Sequence, residues 1–289
     1  MWQPLLLSAG CIPALILLFA VSIERWRRNR RGERPPLSEK LLRPAGYSLQ
    51  RKLEDLNDSL NGWFMGTFLF SLGAIGAFAA MPADTIRRLM FFSVFALGAA
   101  VSAVMAWRKA NQMRNHRCGW LGEQAMTEYL QPLLAQGYQL FHDLRFENGG
   151  RRWNVDHVVV GPAGVFAIET KYRTKRPGKT SESDHEATFD GEQIQFSSGD
   201  YDPDAVGQAR DNARDLANML SKATGERVTV QPIVALPGWW VTLKAKSDVK
   251  VLSGKQVAGF IAKEPPQLSD KQIQQISYQL DQRCRDVEV

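Results

Sequence analysis

Cysteine is scarce in this sequence, which contains three in 289 residues. Cys11 lies in an uncharged stretch, and Cys118 and Cys284 are far apart along the chain. These positions offer neither a disulfide framework nor the closely spaced pairs of a zinc site. The sequence therefore indicates a protein that works in a reducing compartment.

Charged residues are missing from three long stretches in the first part of the chain. Residues 4–23, 63–81 and 89–107 contain no Asp, Glu, Lys or Arg. As a helix, each stretch is long enough to cross about 30 Å of hydrocarbon. Trp63 and Trp107 stand at span ends, where tryptophan anchors helices at the membrane surface. We predict about three transmembrane helices within residues 1–117.

The first span has an alternative interpretation as a cleaved signal peptide or a re-entrant segment, which would leave two spans. A signal peptide carries positive charge before its apolar run. Here no Lys or Arg precedes residue 4, and a basic cluster follows the run instead. This order favours a retained first span.

Positive charge is distributed unevenly around the spans, and this bias predicts their orientation. Ten Lys and Arg lie between the first two spans, whereas the loop before the third contains two, Arg87 and Arg88. Basic loops stay on the cytoplasmic side of a membrane. The N-terminus is therefore expected outside a bacterial inner (cytoplasmic) membrane, and residues 108–289 in the cytoplasm. The ten residues are Arg25, Arg27, Arg28, Arg30, Arg31, Arg34, Lys40, Arg43, Arg51 and Lys52.

The overall excess of positive charge belongs to the membrane flanks and not to the C-terminal part. Residues 1–117 contain sixteen Lys and Arg against seven Asp and Glu, a net charge of +9. Residues 118–289 contain twenty against twenty-three, a net charge of −3. A sequence pI near 9.3 is therefore no evidence for nucleic-acid binding, because the basic flanks orient the protein and meet anionic lipid.

The C-terminal part alternates helical and strand patterns. A helical stretch near Leu49–Leu60 is expected along the membrane surface, and a basic connector at residues 108–118. A helix ending at Gly137 follows the connector. The further elements predicted are strands at 138–146, 152–160 and 165–168, a hairpin at Asp190-Gly191, a helix after Asp202, a strand at 228–236 and a helix from Ser269.

Residues 155–171 carry the candidate site in a strand–turn–strand pattern. Two apolar runs flank the turn Gly161-Pro162-Ala163-Gly164. Side chains alternate across a strand, so Asp156 lies on one face of the first strand, and Glu169 and Lys171 share one face of the second. Buried carboxylates are costly unless they are paired or hold a metal. The pattern therefore predicts a divalent-cation site.

Asp156 followed by Glu169-Thr170-Lys171 is the D…ExK arrangement of the PD-(D/E)XK nuclease superfamily, and residues 119–240 resemble the nuclease-related domain, NERD. The resemblance implies an α/β fold with a restriction-endonuclease-like αβββαβ core, in a domain of residues 118–289 that acts on phosphodiesters with Mg²⁺. The other matching pieces are Gly122-Glu123, Asp156-His157, Gly161-Pro162, Gly164-Val165-Phe166 and Gln208-Ala209.

These residues would support metal-assisted hydrolysis. Asp156 and Glu169, helped by Glu123, would hold Mg²⁺ (or Mn²⁺) in an oxygen-rich site. Lys171 would position the attacking water or stabilise the pentavalent transition state, and Gln208 would orient the water or a phosphate oxygen. The alternatives are structural: an ion pair between Asp156 and Lys171, and a helix-dipole role for Glu123.

A basic run follows Lys171, and its members Arg173, Lys175 and Arg176 are the candidates for gripping substrate phosphates. The alternative is a solvated loop. His157 is expected on the opposite strand face from Asp156, as a hydrogen-bonded structural histidine. Trp239 and Trp240 are expected to pack, with base stacking as the minority interpretation.

The sequence thus predicts a membrane-anchored, metal-dependent nuclease that hydrolyses phosphodiester bonds in DNA with weak sequence specificity. Two alternatives stay open. One is a nuclease-like fold that binds or senses nucleic acid or nucleotide without turnover, and the other is a membrane scaffold that docks a partner. The trio Asp156, Glu169 and Lys171 favours the nuclease, because a fold freed from catalysis has no need to keep buried charges.

Overall fold

The computed structural model describes residues 40–80, 85–148, 150–175 and 185–287, together with Ile23 and Arg27. The predicted span at 4–23 lies, apart from Ile23, outside the described residues. The chain divides into two compact units, one containing Glu54–Arg114 and the other containing Glu39–Leu53 with Asn115–Val289. Residues 39–53, which lie in the membrane region predicted from the sequence, belong to the second unit of this division.

Two long helices supply the packing of the first unit, α1 (Tyr47–Ala80) and α2 (Thr85–Leu130). Small residues lie where the two helices meet. A Cβ added to Gly73 would lie 2.5 Å from the ring of Phe95, and one added to Gly98 would lie 2.7 Å from the ring of Phe70. Glycine at these contacts lets the helices approach closely, as in membrane helix pairs.

The outward surface of this helix pair is apolar. Phe68, Phe78, Leu97 and Trp107 are among its exposed large side chains. Among the described residues one helix, Ile86–Gln136, is long and apolar enough to cross a membrane by length and composition, and 11% of its most apolar window is buried. The sequence predicted two spans in this unit, at 63–81 and 89–107. Among the described residues, only the second of them lies in a helix that meets this test.

Both predicted breaks in these helices are absent. The stretch at 49–60 and the span after it form one continuous helix, α1. The connector predicted at 108–118 is helical and lies inside α2, which continues to Leu130. Residues 108–118 contain neither Pro nor Gly, so the change from apolar to basic composition does not interrupt the backbone hydrogen bonds.

Besides parts of α1 and α2, the described residues of the second unit form eleven strands, three further α-helices and one 3-10 helix, Gln131–Gln136, which ends at Gly137 as the sequence predicted. The helices are α3 (Ala205–Thr224), α4 (Gly254–Ile261) and α5 (Asp270–Cys284). The strands are β1 (Leu41–Leu42), β2 (Gln139–Asn148), β3 (Arg151–Gly161), β4 (Gly164–Thr170), β5 (Glu186–Phe189), β6 (Ile194–Phe196), β7 (Tyr201–Asp202), β8 (Val230–Leu236), β9 (Trp240–Leu243), β10 (Lys250–Ser253) and β11 (Arg285–Val287).

A five-stranded sheet in the order β10-β8-β4-β3-β2 forms the centre of this unit. Strand β3 is antiparallel to both of its neighbours, β2 and β4, whereas β4, β8 and β10 are parallel. Along the chain, α2 precedes the three antiparallel strands, and α3 leads into β8. This is the αβββαβ order that the sequence predicted, and the predicted turn at 161–164 joins β3 to β4.

Helices cover both faces of the sheet, which is therefore buried. On one face, Leu216 of α3 and Leu280 of α5 pack with Val158 and Ala167. On the other, Met126 of α2 and Val257 of α4 pack with Val159 and Ile168. Alternate residues of β3 and β4 thus face different helices, which explains the unbroken apolar runs Val158–Val160 and Val165–Ile168.

A smaller sheet, in the order β7-β6-β5-β9, is built mainly from the insertion between β4 and α3. The predicted hairpin is confirmed, because β5 pairs with β6 across the turn that follows Phe189. Asp190 Oδ1 stabilises this turn by accepting hydrogen bonds from the backbone N–H groups of Glu192 and Gln193. The strand predicted at 228–236 is β8, and the helix predicted from Ser269 is α5.

Residues 39–53 are tied to the second unit by a buried arginine. The Arg43 guanidinium donates to the backbone carbonyl of Asp143 (2.6 Å) and pairs with the carboxylate of Asp286. Ser48 Oγ donates to Asp143 Oδ2 at 2.7 Å, and β1 pairs with β11. The segment thus closes the domain by joining its two chain ends.

We predict that Arg43→Ala lowers the free energy of unfolding by about 1.5–3 kcal/mol, since it removes charged hydrogen bonds from a buried position. The matched control is Arg210→Ala, which removes the exposed pair between Arg210 and Asp248 and should cost less than about 1 kcal/mol. Urea unfolding of the full chain in detergent, followed by tryptophan fluorescence, measures both. Equal losses would contradict the closing role of Arg43.

Candidate active site

The site lies where β3 and β4 run beside each other near the end of β4. Their ladder pairs His157 with Ile168, and one further step sets Asp156 opposite Glu169. The backbone N–H of Thr170 donates to Asp156 Oδ2 at 2.8 Å. Asp156 is therefore held beside the peptide that joins Glu169 to Lys171.

Lys171 and Glu169 are in direct contact. Lys171 Nζ donates to Glu169 Oε1 at 2.8 Å and to Gln208 Oε1, on α3, also at 2.8 Å. Lys171 thus joins two other sequence-predicted residues, Glu169 and Gln208, by hydrogen bonds. Glu169 is 4% exposed and Asp156 is 8% exposed.

Asn212 belongs to the same cluster and was missed by the sequence analysis. Its Nδ2 donates to Glu169 Oε2 at 3.0 Å, so both carboxylate oxygens of Glu169 are hydrogen-bonded. Asn212 follows Gln208 by four residues on α3, and residues at that spacing share a helix face. This spacing was the signal that could have identified Asn212 beside Gln208.

Glu123 reaches the cluster because α2 passes very close to the chain after Lys171. A Cβ added to Gly122 would lie 2.4 Å from Tyr172 Cβ, so only glycine permits this approach. Glu123 is 5% exposed, and its Oε2 has no hydrogen-bond partner among the described residues. A buried, unpartnered carboxylate oxygen is costly, so its presence here requires a reason other than stability.

Burial and neighbouring negative charges raise the pKa of Asp156 and of Glu123. Burial, and then the charges of Glu169 and Glu123, raise the pKa of Asp156 well above its ordinary value. Burial, and then the charges of Asp143 and Glu169, raise the pKa of Glu123 to about 8. The site therefore contains more negative charge than its neighbours neutralise.

Lys171 supplies part of the compensation. Burial raises the pKa of Glu169, although the charge of Lys171 and its hydrogen bond oppose that rise. Burial lowers the pKa of Lys171, but the charges of Glu169 and Asp156 outweigh it, and the net shift is upward. Lys171 is thus an ammonium group at neutral pH and acts as a donor, not as a base.

The donor set fits a divalent cation in chemistry and in charge. Three buried carboxylates supply the oxygen ligands that Mg²⁺ prefers, and the unpartnered Glu123 Oε2 is one such oxygen. The geometry is less complete. Within the described ranges, no group of three or more His, Cys, Asp or Glu is arranged so that it could hold a metal ion.

The first residue of the basic run after Lys171 is engaged in an ion pair. Arg173 pairs with the buried carboxylate of Asp202 at 2.7 Å, and its guanidinium lies over the ring of Phe196. Asp202 also accepts from the N–H of Ala205 at the start of α3, so this ion pair helps to fix that helix. Lys175 is exposed, and Arg176 lies outside the described residues.

His157 and the tryptophans lie away from the carboxylates. His157 Nδ1 is 2.8 Å from His142 Nδ1, and burial lowers the pKa of both histidines, that of His142 to about 4. Both rings are therefore neutral near pH 7. Trp239 is buried and packs edge-on against Phe196, with ring centroids 4.7 Å apart, whereas Trp240 is exposed.

Buried acidic residues and a lysine thus lie together on an αβββαβ core. In agreement with the resemblance noted above, residues 118–237 match the family profile of the nuclease-related domain, NERD. The match includes all five candidates, from Glu123 to Gln208, and covers less than half of the chain. No curated protein matches the sequence.

The raised pKa of Glu123 predicts how stability changes with pH when no divalent cation is present. A carboxyl whose folded pKa is raised stabilises the protein while it is protonated. That contribution is complete below about pH 4.5 and is lost as the pH rises through about 8. Glu123→Gln should therefore flatten the fall in stability across this window.

The measurement is thermal unfolding of the full chain in detergent with a chelator, at several values between pH 5 and 8.5. At the upper end Glu123→Gln should be more stable than the parent by at least about 1 kcal/mol, since one pKa unit corresponds to about 1.4 kcal/mol. Glu128→Gln, at an exposed position on the same helix, is the control and should match the parent. Parallel curves for all three proteins would contradict the assigned burial of Glu123.

Proposed function

We propose that this protein is a membrane-anchored, divalent-cation-dependent nuclease that hydrolyses phosphodiester bonds in DNA with weak sequence specificity. One observation carries the proposal. Lys171 contacts Glu169 at 2.8 Å beside the buried Asp156, within a nuclease-related domain. A lysine ammonium next to acidic metal ligands is an arrangement that can stabilise a phosphate undergoing attack by water.

Asp156 and Glu169, with Glu123 as a third carboxylate, would hold Mg²⁺ or Mn²⁺. When bound, the cation lowers the pKa of a coordinated water and offsets charge on the phosphate oxygens. Asn212 keeps Glu169 in its orientation by donating to Oε2. The N–H of Thr170 does the same for Asp156, so both carboxylates are positioned by the fold before any ligand arrives.

Lys171 is placed to donate to the substrate. An ammonium has three N–H donors, and Glu169 and Gln208 accept two of them. The third can donate to a phosphate oxygen as negative charge grows on it. Gln208 holds the ammonium through its side-chain oxygen, which leaves its NH₂ group to orient a phosphate oxygen or the attacking water.

A nucleic-acid-binding module without turnover is the second candidate. Two observations favour it. Lys171 and Asn212 already hydrogen-bond to both carboxylate oxygens of Glu169. Among the described residues, no group of three or more His, Cys, Asp or Glu is arranged to hold a metal ion. Such a module would keep the fold and the ammonium but would not hydrolyse the bound strand. Cleavage assays separate the two candidates.

We predict that Lys171→Ala reduces Mg²⁺- or Mn²⁺-dependent cleavage of linear DNA by about 10²–10³-fold, the usual loss of a transition-state donor. Mn²⁺ affinity, measured by calorimetry, should stay nearly unchanged because Lys171 is not a ligand. Asp156→Ala should lose both cleavage and Mn²⁺ binding. The full chain in detergent is required, because residues 39–53 are part of the domain.

Lys263→Ala, an exposed change at the end of α4, is the control and should cleave like the parent. Cleavage by Lys171→Ala at the parental rate would show that the assigned chemistry is wrong. DNA binding by the parent with no cleavage under either cation would favour the second candidate.

We infer that the bilayer covers the first unit and that the nuclease-related domain is cytoplasmic. The inference rests on two observations. Many large apolar side chains of α1 and α2 are exposed, which is unfavourable in water. Ten basic residues precede the second span. The anchor would restrict the enzyme to substrate near the inner membrane surface.

A reporter enzyme fused after Val289 tests this orientation. A reporter that works only in the cytoplasm should be active, and one that works only outside should be silent. The reverse result would overturn the orientation and would require either a cleaved first segment or only two spans. The anchor itself is checked by cell fractionation, in which the active reporter should be found in the membrane fraction and not in the soluble fraction.

A further inference from the structure

A second cluster of positive charge lies outside the run that follows Lys171. A groove of about 700 Å³ runs over the edge of the central sheet, and we call it the basic groove. Its lining residues come from four separate parts of the chain. The six that matter are Lys52, Arg145, Arg152, Trp153, Asn154 and Arg283.

The groove holds more positive charge than the rest of its domain. Its lining contains five Lys and Arg against two acidic residues, Glu147 and Asp286, a net charge of +3. The unit of residues 39–53 and 115–289 contains twenty-five Lys and Arg against twenty-four Asp and Glu, a net charge of +1, so its residues outside the groove have a net charge of −2. The groove is therefore a place where this domain can attract a polyanion.

One basic side chain of the groove is held by a buried ion pair, whereas others can bind a ligand. Arg145 lies 3.5 Å from the buried carboxylate of Asp143, which fixes it structurally. Arg152 pairs with Glu147 at 3.2 Å, but their side chains are 79% and 60% exposed, so the pair is weak and open to exchange. Lys52 and Arg283 are exposed at the groove.

Two aromatic rings form part of the same groove. Phe146 and Trp153 are directly opposite in the β2–β3 ladder, and their rings are stacked at 5.7 Å and 11°. Both are half-buried. Aromatic faces beside basic residues are typical of surfaces that bind single strands, because bases stack on them whatever their sequence.

Asn154 connects the groove to the carboxylate cluster. It lines the groove, and its backbone carbonyl accepts a hydrogen bond from Asn212 Nδ2 at 3.4 Å. The same Nδ2 donates to Glu169 Oε2 at 3.0 Å. Asn212, which is 4% exposed, thus lies between the groove lining and Glu169.

We propose that the basic groove binds the phosphate backbone of a nucleic-acid strand and guides it to Glu169 and Lys171. The proposal deepens the proposed function and rests on it, although binding in the groove does not itself require cleavage. Lys52, Arg152 and Arg283 contact phosphates, and Trp153 stacks with a base. Arg173, bound to Asp202, is not part of this path.

The test compares two triple variants of the full chain in detergent, with a chelator present to prevent cleavage. The groove triple combines Lys52→Glu, Arg152→Glu and Arg283→Glu, which reverses the charge of the groove. Lys246→Glu, Lys255→Glu and Lys263→Glu make the same change of net charge at exposed positions elsewhere in the domain. Binding to a labelled single strand of DNA is followed by fluorescence anisotropy between 50 and 200 mM salt, a range over which phosphate contacts weaken strongly.

The groove triple should weaken binding by about 100-fold, and the slope of log affinity against log salt should fall by about 2, since each lost phosphate contact removes about 0.7. The control triple should change affinity less than about threefold. Trp153→Ala should weaken binding about tenfold with little change of slope. A triple of Lys52→Gln, Arg152→Gln and Arg283→Gln covers the case in which the reversed variant fails to fold, and should show the same loss of slope.

Equal effects of the groove and control triples, or an unchanged salt slope, would overturn the proposal. So would loss of binding to vesicles of anionic phospholipid while DNA binding stays intact, which would assign the groove to a lipid surface. If the parent binds DNA through the groove but never cleaves it, the groove stands and the nuclease falls. If the parent cleaves DNA and the groove triple cleaves and binds normally, the nuclease proposal stands and the groove proposal falls.

Discussion

The contact between Lys171 and Glu169 sets one buried ammonium against a cluster of three buried carboxylates, and the domain is organised around that imbalance. Burial raises the pKa of Asp156, Glu169 and Glu123, so each carboxylate opposes folding when it is ionised. Strand β4, helix α3 and helix α2 each deliver one or more polar groups to this point. A core arranged only for stability would have placed apolar side chains there instead.

Features set by neighbouring residues could be predicted from the sequence. The turn at 161–164 fixes the β3–β4 hairpin, and strand alternation then sets Asp156 opposite Glu169 without information from elsewhere in the chain. The hairpin at Asp190 follows from the same kind of local chemistry. The placement of Lys171 beside Glu169 needs only the spacing of two residues along one strand face.

Features that depend on distant residues could not be predicted in this way. Arg43 and Asp286 are 243 residues apart in sequence, and each is an ordinary charged residue until the fold brings them together. The contact between Asn212 and Glu169 spans 43 residues. The continuity of α2 was missed for another reason. The composition changes sharply after residue 107, but residues 108–118 contain neither Pro nor Gly to interrupt the helix.

The distribution of charge over the domain matters more for its partners than the total does. A contiguous basic run is visible in the sequence, yet its first arginine is bound to Asp202, because a buried carboxylate takes the nearest available cation. The basic groove collects Lys52, Arg145, Arg152 and Arg283 from segments that are far apart, so no window of the sequence displays it. The residues of this unit outside the groove have a net charge of −2 and repel a polyanion, and the groove is where that repulsion is reversed. A domain of nearly balanced charge can in this way direct nucleic acid to its carboxylates more selectively than a uniformly basic one would.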